Sequence, residues 1–326
     1  MGGQAVMEGV MMRGQDRMAV AIRIPDGRIH IKTEPIKKQG PLSKIPVIRG
    51  ILAFVTSLVI GMKTLLYSAD VLEYHGALDE DEEGKAAEPS RFEAWLTKKY
   101  GEKAAWNFAI YIAVIGAILM TVGIFILLPT ALVSFLGKYI EKAWILNLIE
   151  GIIRLAIFIA YIVAISRMED IKKVFQYHGA EHETIHCFEN GLELTPENAD
   201  QFYTLHPRCG TSFLIFVFII SLILFSLLGW PNLLMRILSR IVLIPLVAGI
   251  SYEVLKWAGR SDNIVVRVLS MPGLYMQKLT TRKPSKDQLE IAIASVKAVL
   301  VPEGTEYIEG ICDKDANLIE AVHVGK

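Results

Sequence analysis

Histidines, glutamates and a cysteine are concentrated in one polar stretch of this sequence. Residues 177–191 read YHGAEHETIHCFENG, and four of the seven histidines of the chain fall within residues 178–206. Imidazole nitrogens and thiolates are the protein ligands that zinc prefers. The stretch therefore predicts a zinc site, and the competing interpretation is a polar helix at a membrane surface without a metal.

The H-E-x-x-H pattern occurs at residues 182–186. Positions i and i+4 of a helix lie one turn apart on the same face, so the imidazoles of His182 and His186 can reach one ion. Glu183 would then act as the general base for a water molecule. The inverted H-x-x-E-H pattern overlaps it at residues 178–182, and one metal cannot use both patterns because they share His182.

The third ligand stays open among several residues. His178 and His186 are separated by about 12 Å of rise on a continuous helix, so both reach one ion only if the backbone breaks, and Gly179 is the candidate break. The segment HPRCGTSF contains His206 and Cys209 and directly precedes an apolar block, which places it at the same membrane surface. A position near a helix N-terminus would favour the Cys209 thiolate.

The glycine-rich start, GGQAVMEGVMMRG, adds Glu8 as a further carboxylate candidate and Arg13 as an anion clamp. It is not a phosphate-binding Walker A loop, because no Gly-Lys-Ser/Thr follows. A metal site closed by four protein ligands would be structural, whereas one with an open position would be catalytic. The ligand pattern alone allows either.

The histidine-rich stretch at residues 177–191 lies between long apolar blocks, which must hold it in place. Of the 326 residues, 52% are hydrophobic and only 21% are charged. A membrane-spanning helix needs about 20 predominantly apolar residues. The blocks predict four spans in two hairpins, with Pro129 ending the first span. Their approximate limits are residues 106–128, 143–166, 209–235 and 233–257.

Residues 46–67 form a further apolar block with a shorter uncharged run. Between Arg49 and Lys63 lies an uncharged run of 13 residues, a length typical of a re-entrant or interfacial helix rather than a span. The first 50 residues carry nine Lys and Arg, and the segment after Trp257 is also basic. The positive-inside rule therefore predicts that both termini are cytoplasmic.

The remaining sequence predicts a small α+β cytoplasmic portion. Alternation over Met18–Glu34 around Pro25-Asp26-Gly27 predicts a β-hairpin. Residues 285–300 predict an amphipathic helix, with an apolar stripe of Leu289, Ile293, Val296 and Leu300. Short strands are predicted at residues 306–311 and 318–324, and the acidic run Asp79–Glu83 predicts a solvated loop.

The fold class is thus a mainly α integral membrane protein with about four transmembrane helices, one re-entrant or interfacial helix and an N-terminal β-hairpin. The predicted order is an N-terminal motif and hairpin, a re-entrant helix, a cytoplasmic loop, a first transmembrane hairpin, the metal segment, a second transmembrane hairpin and a cytoplasmic tail. Their limits are residues 1–44, 45–67, 68–103, 104–166, 167–210, 211–257 and 258–326.

Several classes of protein are excluded by composition. A formal net charge of zero and the lack of a basic patch argue against nucleic-acid binding. Three cysteines without regular spacing argue against a disulfide framework and suit a reducing compartment. The first residues lack the apolar core of a signal peptide. Glu150 and Arg154, four positions apart in an apolar block, predict an ion pair, with transport along a polar path as a weaker interpretation.

Three segments, MGGQAVMEGVMMRG, YHGAEHETIHCFENG and HPRCGTSF, resemble those of the YqhQ-like family of bacterial multi-pass membrane proteins. The resemblance extends over nearly the whole chain, through TTRKPSKDQLEIAIASV. It implies a location in the bacterial inner membrane and a metal-dependent enzyme. The site that it implies consists of His178, His182, Glu183, His186, His206 and Cys209, with Glu8 as an addition.

The leading hypothesis is a zinc-dependent, membrane-embedded hydrolase of peptidase type that acts at the cytoplasmic membrane surface. The alternative is a non-catalytic scaffold or biogenesis factor for membrane proteins, in which the histidine cluster is structural. The expected partners are the lipid bilayer and other membrane proteins. The substrate, the metal and the oligomeric state are not determined by the sequence.

Overall fold

A computed structural model of the chain describes residues 1–36, 40–76, 97, 101–206, 209–229, 232–258 and 263–324. The chain divides into two compact units, one of residues 1–79, 161–220 and 243–326 and the other of residues 80–160 and 221–242. The strands are β1 Gly2–Val6, β2 Gly9–Arg13, β3 Arg17–Arg23, β4 Ile29–Pro35, β5 Glu309–Cys312 and β6 Leu318–Ala321. The acidic run Asp79–Glu83, predicted as a solvated loop, lies outside the described residues.

Ten α-helices and one short 3-10 helix, Pro41–Lys44, occur in the described parts of the chain. The helices are α1 Ile48–Tyr74, α2 Glu102–Val122, α3 Leu128–Leu136, α4 Ala143–Ile165, α5 Glu169–Glu189, α6 Pro196–Ala199, α7 Gly210–Ser226, α8 Leu233–Ala258, α9 Ile264–Thr280 and α10 Lys286–Val299.

The six strands form one antiparallel sheet in the order β1 to β6. The predicted hairpin is confirmed, since β3 pairs with β4 in a register that places Met18 opposite Glu34. The two predicted C-terminal strands are also confirmed as β5 and β6, each of four residues, although β5 ends one residue past its predicted limit. β1 and β2 were not predicted, because the glycines in this segment lower its intrinsic β-propensity.

Both faces of the sheet are covered. On β3, Val20 and Ile22 belong to one buried apolar cluster, whereas Ala19 and Ala21 belong to another. Helices α5 and α10 pack against the sheet next to the second cluster. This layer places α5, which carries most of the predicted site residues, beside β1 and β2.

Helix α10 is the predicted amphipathic helix. Ser285 caps its N-terminus by accepting a hydrogen bond from the N–H of Gln288, whose side chain accepts one from Ser285 N–H in return. Leu289, Ile293 and Val296 are buried as the stripe predicts. Leu300 lies one residue past the helix end, where the stripe no longer faces the sheet, and it is 44% exposed.

Among the residues that the structure describes, four helices are long and apolar enough to span a membrane: Ile48–Tyr74, Tyr111–Leu136, Ala143–Ile165 and Leu233–Ala258. The first of them corrects the length expected for the re-entrant or interfacial helix at residues 45–67, because α1 is one uninterrupted helix of 27 residues. The charges that limit its apolar run have partners from other elements: Arg49 Nε donates to Glu253 Oε1 (2.7 Å), and Lys63 Nζ to Glu34 Oε2 (2.7 Å).

The block predicted to span at residues 209–235 instead forms α7, which has only 17 residues. The expectation that Pro129 ends the first span is also wrong. A π-helical turn at Gly123–Leu127 joins α2 to α3, and Pro129 lies in the first turn of α3. Proline is accommodated there because the π-helical turn directly before it interrupts the regular hydrogen-bond pattern of the helix, at a point where Pro129 has no N–H to donate.

The burial of His30 on β4 predicts that acid destabilises the sheet. Its side chain is fully buried, Tyr67 Oη lies 2.8 Å from Nε2, and burial, followed by the charge of His75, lowers its pKa to about 4. The unfolded chain binds a proton near pH 6.5. His30 therefore contributes stability that is complete above pH 6.5 and is lost as the pH falls towards 4, by up to ~3 kcal/mol.

Replacement of His30 by glutamine is expected to flatten the acid side of the stability profile. The melting temperature of the purified protein, measured between pH 7 and 4, should fall less steeply in His30→Gln than in the wild type. His323→Gln is the matched control, because the His323 side chain is 76% exposed. Equal slopes for the two variants would contradict this role of His30.

Candidate metal centre

Helix α5 presents the predicted ligands on its central turns. Glu169 and Asp170 in its first turn interact favourably with the helix dipole, and the helix ends at Asn190 and Gly191. The expected break at Gly179 does not occur, since the helix continues through it. Instead, a Cβ at Gly179 would lie 2.0 Å from the carbonyl oxygen of Arg282. The glycine therefore allows the chain after α9 to approach α5 closely.

Three of the predicted residues meet at one point. His178 and His182 lie one turn apart on α5, and Cys209 lies directly before α7. One potential ligand atom from each lies within 4.8 Å of the other two. His178 Nε2 is 3.2 Å from Cys209 Sγ. The residue pair of the inverted H-x-x-E-H pattern, rather than that of H-E-x-x-H, thus faces the cysteine.

Backbone carbonyls orient both imidazoles. His178 Nδ1 donates to the carbonyl oxygen of Thr280 (2.8 Å), and His182 Nδ1 donates to that of Thr204 (2.5 Å). A carbonyl oxygen only accepts, so the proton of each neutral ring is on Nδ1 and the lone pair is on Nε2. Such outer-shell hydrogen bonds are the usual partners of metal-binding histidines.

His182 Nε2 is buried and has no hydrogen-bond partner among the described residues. A buried polar atom without a partner costs about 1–3 kcal/mol, and an ion would remove that cost. Zinc at its usual bond lengths to nitrogen and sulfur holds tetrahedral ligands roughly 3.3–3.8 Å apart. Side-chain shifts of about 1 Å would bring the three atoms to that spacing, so two imidazoles and one thiolate fit the metal.

The segment that carries Cys209 is fixed by its neighbours. Thr211 Oγ1 donates to Cys209 Sγ (3.3 Å). The buried Gln277 holds the backbone of His206 at both polar atoms: its Oε1 accepts from His206 N–H (2.7 Å), and its Nε2 donates to His206 C=O (2.8 Å). Cys209 N–H in turn donates to His206 C=O (3.3 Å). The thiol is therefore positioned by α9 as well as by α7.

His186 and His206 lie next to this group but outside it. His186 Nε2 contacts the carbonyl oxygen of Leu205 (2.9 Å). The His206 ring is buried, with its centroid 5.6 Å from that of His182. His206 therefore lies close to the three residues without belonging to their group, whereas the His186 ring contacts a backbone carbonyl.

Glu183 is directed away from the three ligands. Its side chain is fully buried, and its Oε1 accepts from Lys283 Nζ (2.9 Å), which also pairs with Asp200 Oδ1 (2.9 Å). Burial, opposed by the hydrogen bond from Lys283, raises the pKa of Glu183 to about 7. This contact holds the chain after α9 against α5 and so supports the Thr280 carbonyl on His178.

The two candidates from the glycine-rich start are also separate from the three ligands. Glu8 pairs with Lys173 Nζ (2.9 Å) and accepts from Tyr177 Oη (3.2 Å). Arg13 lines a different pocket, of about 660 Å³.

Glu181, which the sequence did not single out, lies beside the ligands. It shares with His178, His182, His206 and Cys209 a pocket of about 450 Å³. Burial raises the pKa of its carboxyl group, while the charge of His178 and a hydrogen bond from Gly3 N–H lower it. The sequence feature that could have identified Glu181 is the inverted H-x-x-E-H pattern, in which Glu181 is the glutamate.

Gly3 on β1 is required for this arrangement. A Cβ there would lie 2.6 Å from the carbonyl oxygen of Met11 and 3.0 Å from Glu181 Cδ, whereas a Cβ at Gly2 would meet nothing within 4 Å. We expect Gly3→Ala to destabilise the protein by about 1–3 kcal/mol, because backbone must move. Gly2→Ala should leave the melting temperature unchanged, and equal effects of the two variants would contradict the packing of β1 over Glu181.

Comparisons with known proteins confirm the predicted resemblance to the YqhQ-like family. The sequence profile of the family described as "Protein of unknown function (DUF1385)" matches residues 45–301. The chain is 37% identical over 311 residues, 92% of each chain, to the protein of Bacillus subtilis (strain 168) named "Uncharacterized protein YqhQ". No solved structure matches it.

Proposed function

The chain belongs to the DUF1385 family, and because that family's description states no activity, we propose a function from the site itself: a zinc-dependent hydrolase at a membrane surface. The observation that carries the proposal is the convergence of His178, His182 and Cys209, with the lone pair of His182 Nε2 buried and without a partner in the part of the chain that the structure describes. Three protein ligands that leave a fourth position open are typical of catalytic zinc sites.

A bound zinc would supply Lewis acidity and lower the pKa of a water molecule. Glu181 is the residue that we propose as proton acceptor and donor. Its burial raises the pKa of the carboxyl group, which brings it closer to the value that suits proton transfer at neutral pH. The H-E-x-x-H pattern predicts Glu183 as the base instead. Its contact with Lys283 supports a positioning role for Glu183, which is the role that we propose.

The surroundings of the pocket support a substrate in or near the membrane. Its walls include Ser57 of α1 and Thr211 of α7, two apolar helices, together with residues of β1. Its volume, about 450 Å³, suits a head group or a short extended peptide segment. We propose that the substrate is a lipid or a membrane-protein segment with a hydrolysable carbonyl or phosphoryl group.

A non-catalytic scaffold is the second candidate, and one observation favours it. The buried His206 ring lies close enough to His182 to become a fourth ligand after a modest shift. A site closed in this way would be structural. In that case the metal would stabilise the protein for docking to other membrane proteins.

Hydrolysis in oxygen-18 water tests the proposal without knowledge of the substrate. The zinc-loaded protein is incubated with bacterial membrane extract, and products carrying the label are identified by mass spectrometry. Labelled products that need His182 would support the hydrolase. A metal-loaded wild type that labels nothing beyond the His182→Ala control would favour the scaffold.

A further inference from the structure

Strand β1 lies at one end of the six-stranded sheet, and its outer edge faces the pocket of the candidate metal centre. Among the described strands, β1 is hydrogen-bonded to β2 alone. Four of its five residues, 2–5, line the pocket that also contains His178, His182 and Cys209. A molecule in this pocket therefore reaches both the edge of the strand and the proposed metal ligands.

The hydrogen bonds of the N-terminal segment show which backbone groups of β1 point outward. In an antiparallel pair, residues alternate between bonding the neighbouring strand and pointing away from it. Gly3 N–H donates to the Glu181 carboxyl group, and Met7 N–H donates to Ser68 Oγ (3.2 Å). The odd-numbered residues of this segment therefore point away from β2, and Ala5 lies between the two.

The outer edge of β1 offers three backbone groups to a ligand. The C=O of Gly3 and the N–H and C=O of Ala5 have no hydrogen-bond partner among the described residues. Proteins usually protect such an edge with lysine, proline or a β-bulge, because it is a template for pairing with another chain. The sequence of β1, GGQAV, has neither lysine nor proline, and its register with β2 is uninterrupted.

We propose that the outer edge of β1 binds an extended peptide segment as an additional strand. A row of alternating N–H and C=O groups is complementary to a peptide backbone, which repeats the same alternation. A lipid head group has no such repeat. The inference rests on the proposed function for the fate of the bound segment, and it selects a peptide rather than a lipid as the substrate class.

Gly3 determines where the bound segment would meet the metal centre. In an antiparallel pair, the peptide residue opposite Gly3 donates its N–H to Gly3 C=O and directs its own carbonyl towards Gly3 N–H. That N–H is held by the Glu181 carboxyl group. The peptide carbonyl would therefore lie beside Glu181, in the pocket that contains the three proposed ligands.

The test measures peptide binding to the detergent-purified full chain by fluorescence anisotropy. The probe is a short fluorescein-labelled peptide of alternating valine and threonine, which favours an extended conformation. Its counterpart is N-methylated at every residue and has no backbone donors. The variant Ala5→Pro removes the outward N–H of Ala5, and proline is tolerated on an edge strand where that group faces away from the sheet. Ala5→Gly is the matched control, because it changes the same side chain but keeps the N–H.

Ala5→Pro should bind the probe at least about tenfold more weakly than Ala5→Gly. The wild type should bind the probe and not its methylated counterpart, and this comparison serves if Ala5→Pro does not fold. Binding should persist in His182→Ala, because strand pairing does not use the metal. Binding without hydrolysis would thus support the inference and contradict the proposed function alone.

Three results would overturn the inference: no binding of the probe by the wild type, equal binding of the two peptides, or equal binding by Ala5→Pro and Ala5→Gly. Labelled lipid products from the oxygen-18 experiment, together with no peptide binding, would overturn it while leaving the hydrolase in place.

Discussion

Replacement of His182 by alanine is expected to lower the zinc content of the purified protein by more than about tenfold. The side chain supplies one of the three atoms of the proposed site: its ring centroid lies 4.5 Å from that of His178, and its ligand atom lies within 4.8 Å of those of His178 and Cys209. Its Nδ1 already donates to the Thr204 carbonyl, and its Nε2 has no hydrogen-bond partner among residues that the structure describes. Metal content is measured by plasma mass spectrometry after purification without chelators.

His186→Ala is the matched control for that experiment. His186 lies one turn further along α5, but its Nε2 contacts the Leu205 carbonyl. We expect this variant to keep the zinc content of the wild type. A folded His186→Ala protein without metal would instead favour the H-E-x-x-H ligand pair of the sequence analysis.

Replacement of Glu181 by glutamine is expected to lower the rate of hydrolysis by about 10²–10⁴-fold. The change keeps the size of the side chain and removes its ability to accept a proton. The metal content should remain that of the wild type, because Glu181 is proposed as a proton carrier and not as a ligand. The rate is measured as the appearance of oxygen-18 in the products of the membrane extract.

The variant Glu183→Gln distinguishes the proposed role of Glu183 from that of Glu181, which lies two residues before it on α5. Its contact with Lys283 positions the chain after α9, so we expect a lower melting temperature and a rate within about tenfold of the wild type. If Glu183→Gln lost the activity and Glu181→Gln kept it, the base would be the residue that H-E-x-x-H predicts.

The elements that were predicted well carry strong local signals. The alternation of β3 and β4 around Pro25-Asp26-Gly27, and the apolar stripe of α10, depend on residues close together in sequence. The length of α1 was underestimated because Arg49 and Lys63 were treated as charges exposed at its ends. Their carboxylate partners, Glu253 and Glu34, come from elements far away in the chain.

The candidate site shows the same limit. The sequence identified the residues that converge, but it left two overlapping pairs, His178 with His182 and His182 with His186. The choice between them depends on which imidazole faces Cys209 and which contacts the Leu205 carbonyl. Those contacts are set by a loop and by α9, through Gln277 and Thr280, whose positions no local pattern encodes.

X-ray absorption at the zinc edge of the purified wild-type protein tests the ligand set most directly. We expect about one zinc per chain, with one sulfur at about 2.3 Å and two imidazole nitrogens at about 2.0 Å, the remaining position being filled by oxygen. In Cys209→Ser the sulfur shell should disappear. A wild-type protein that binds no zinc, or binds it without a sulfur ligand, would contradict the proposed centre.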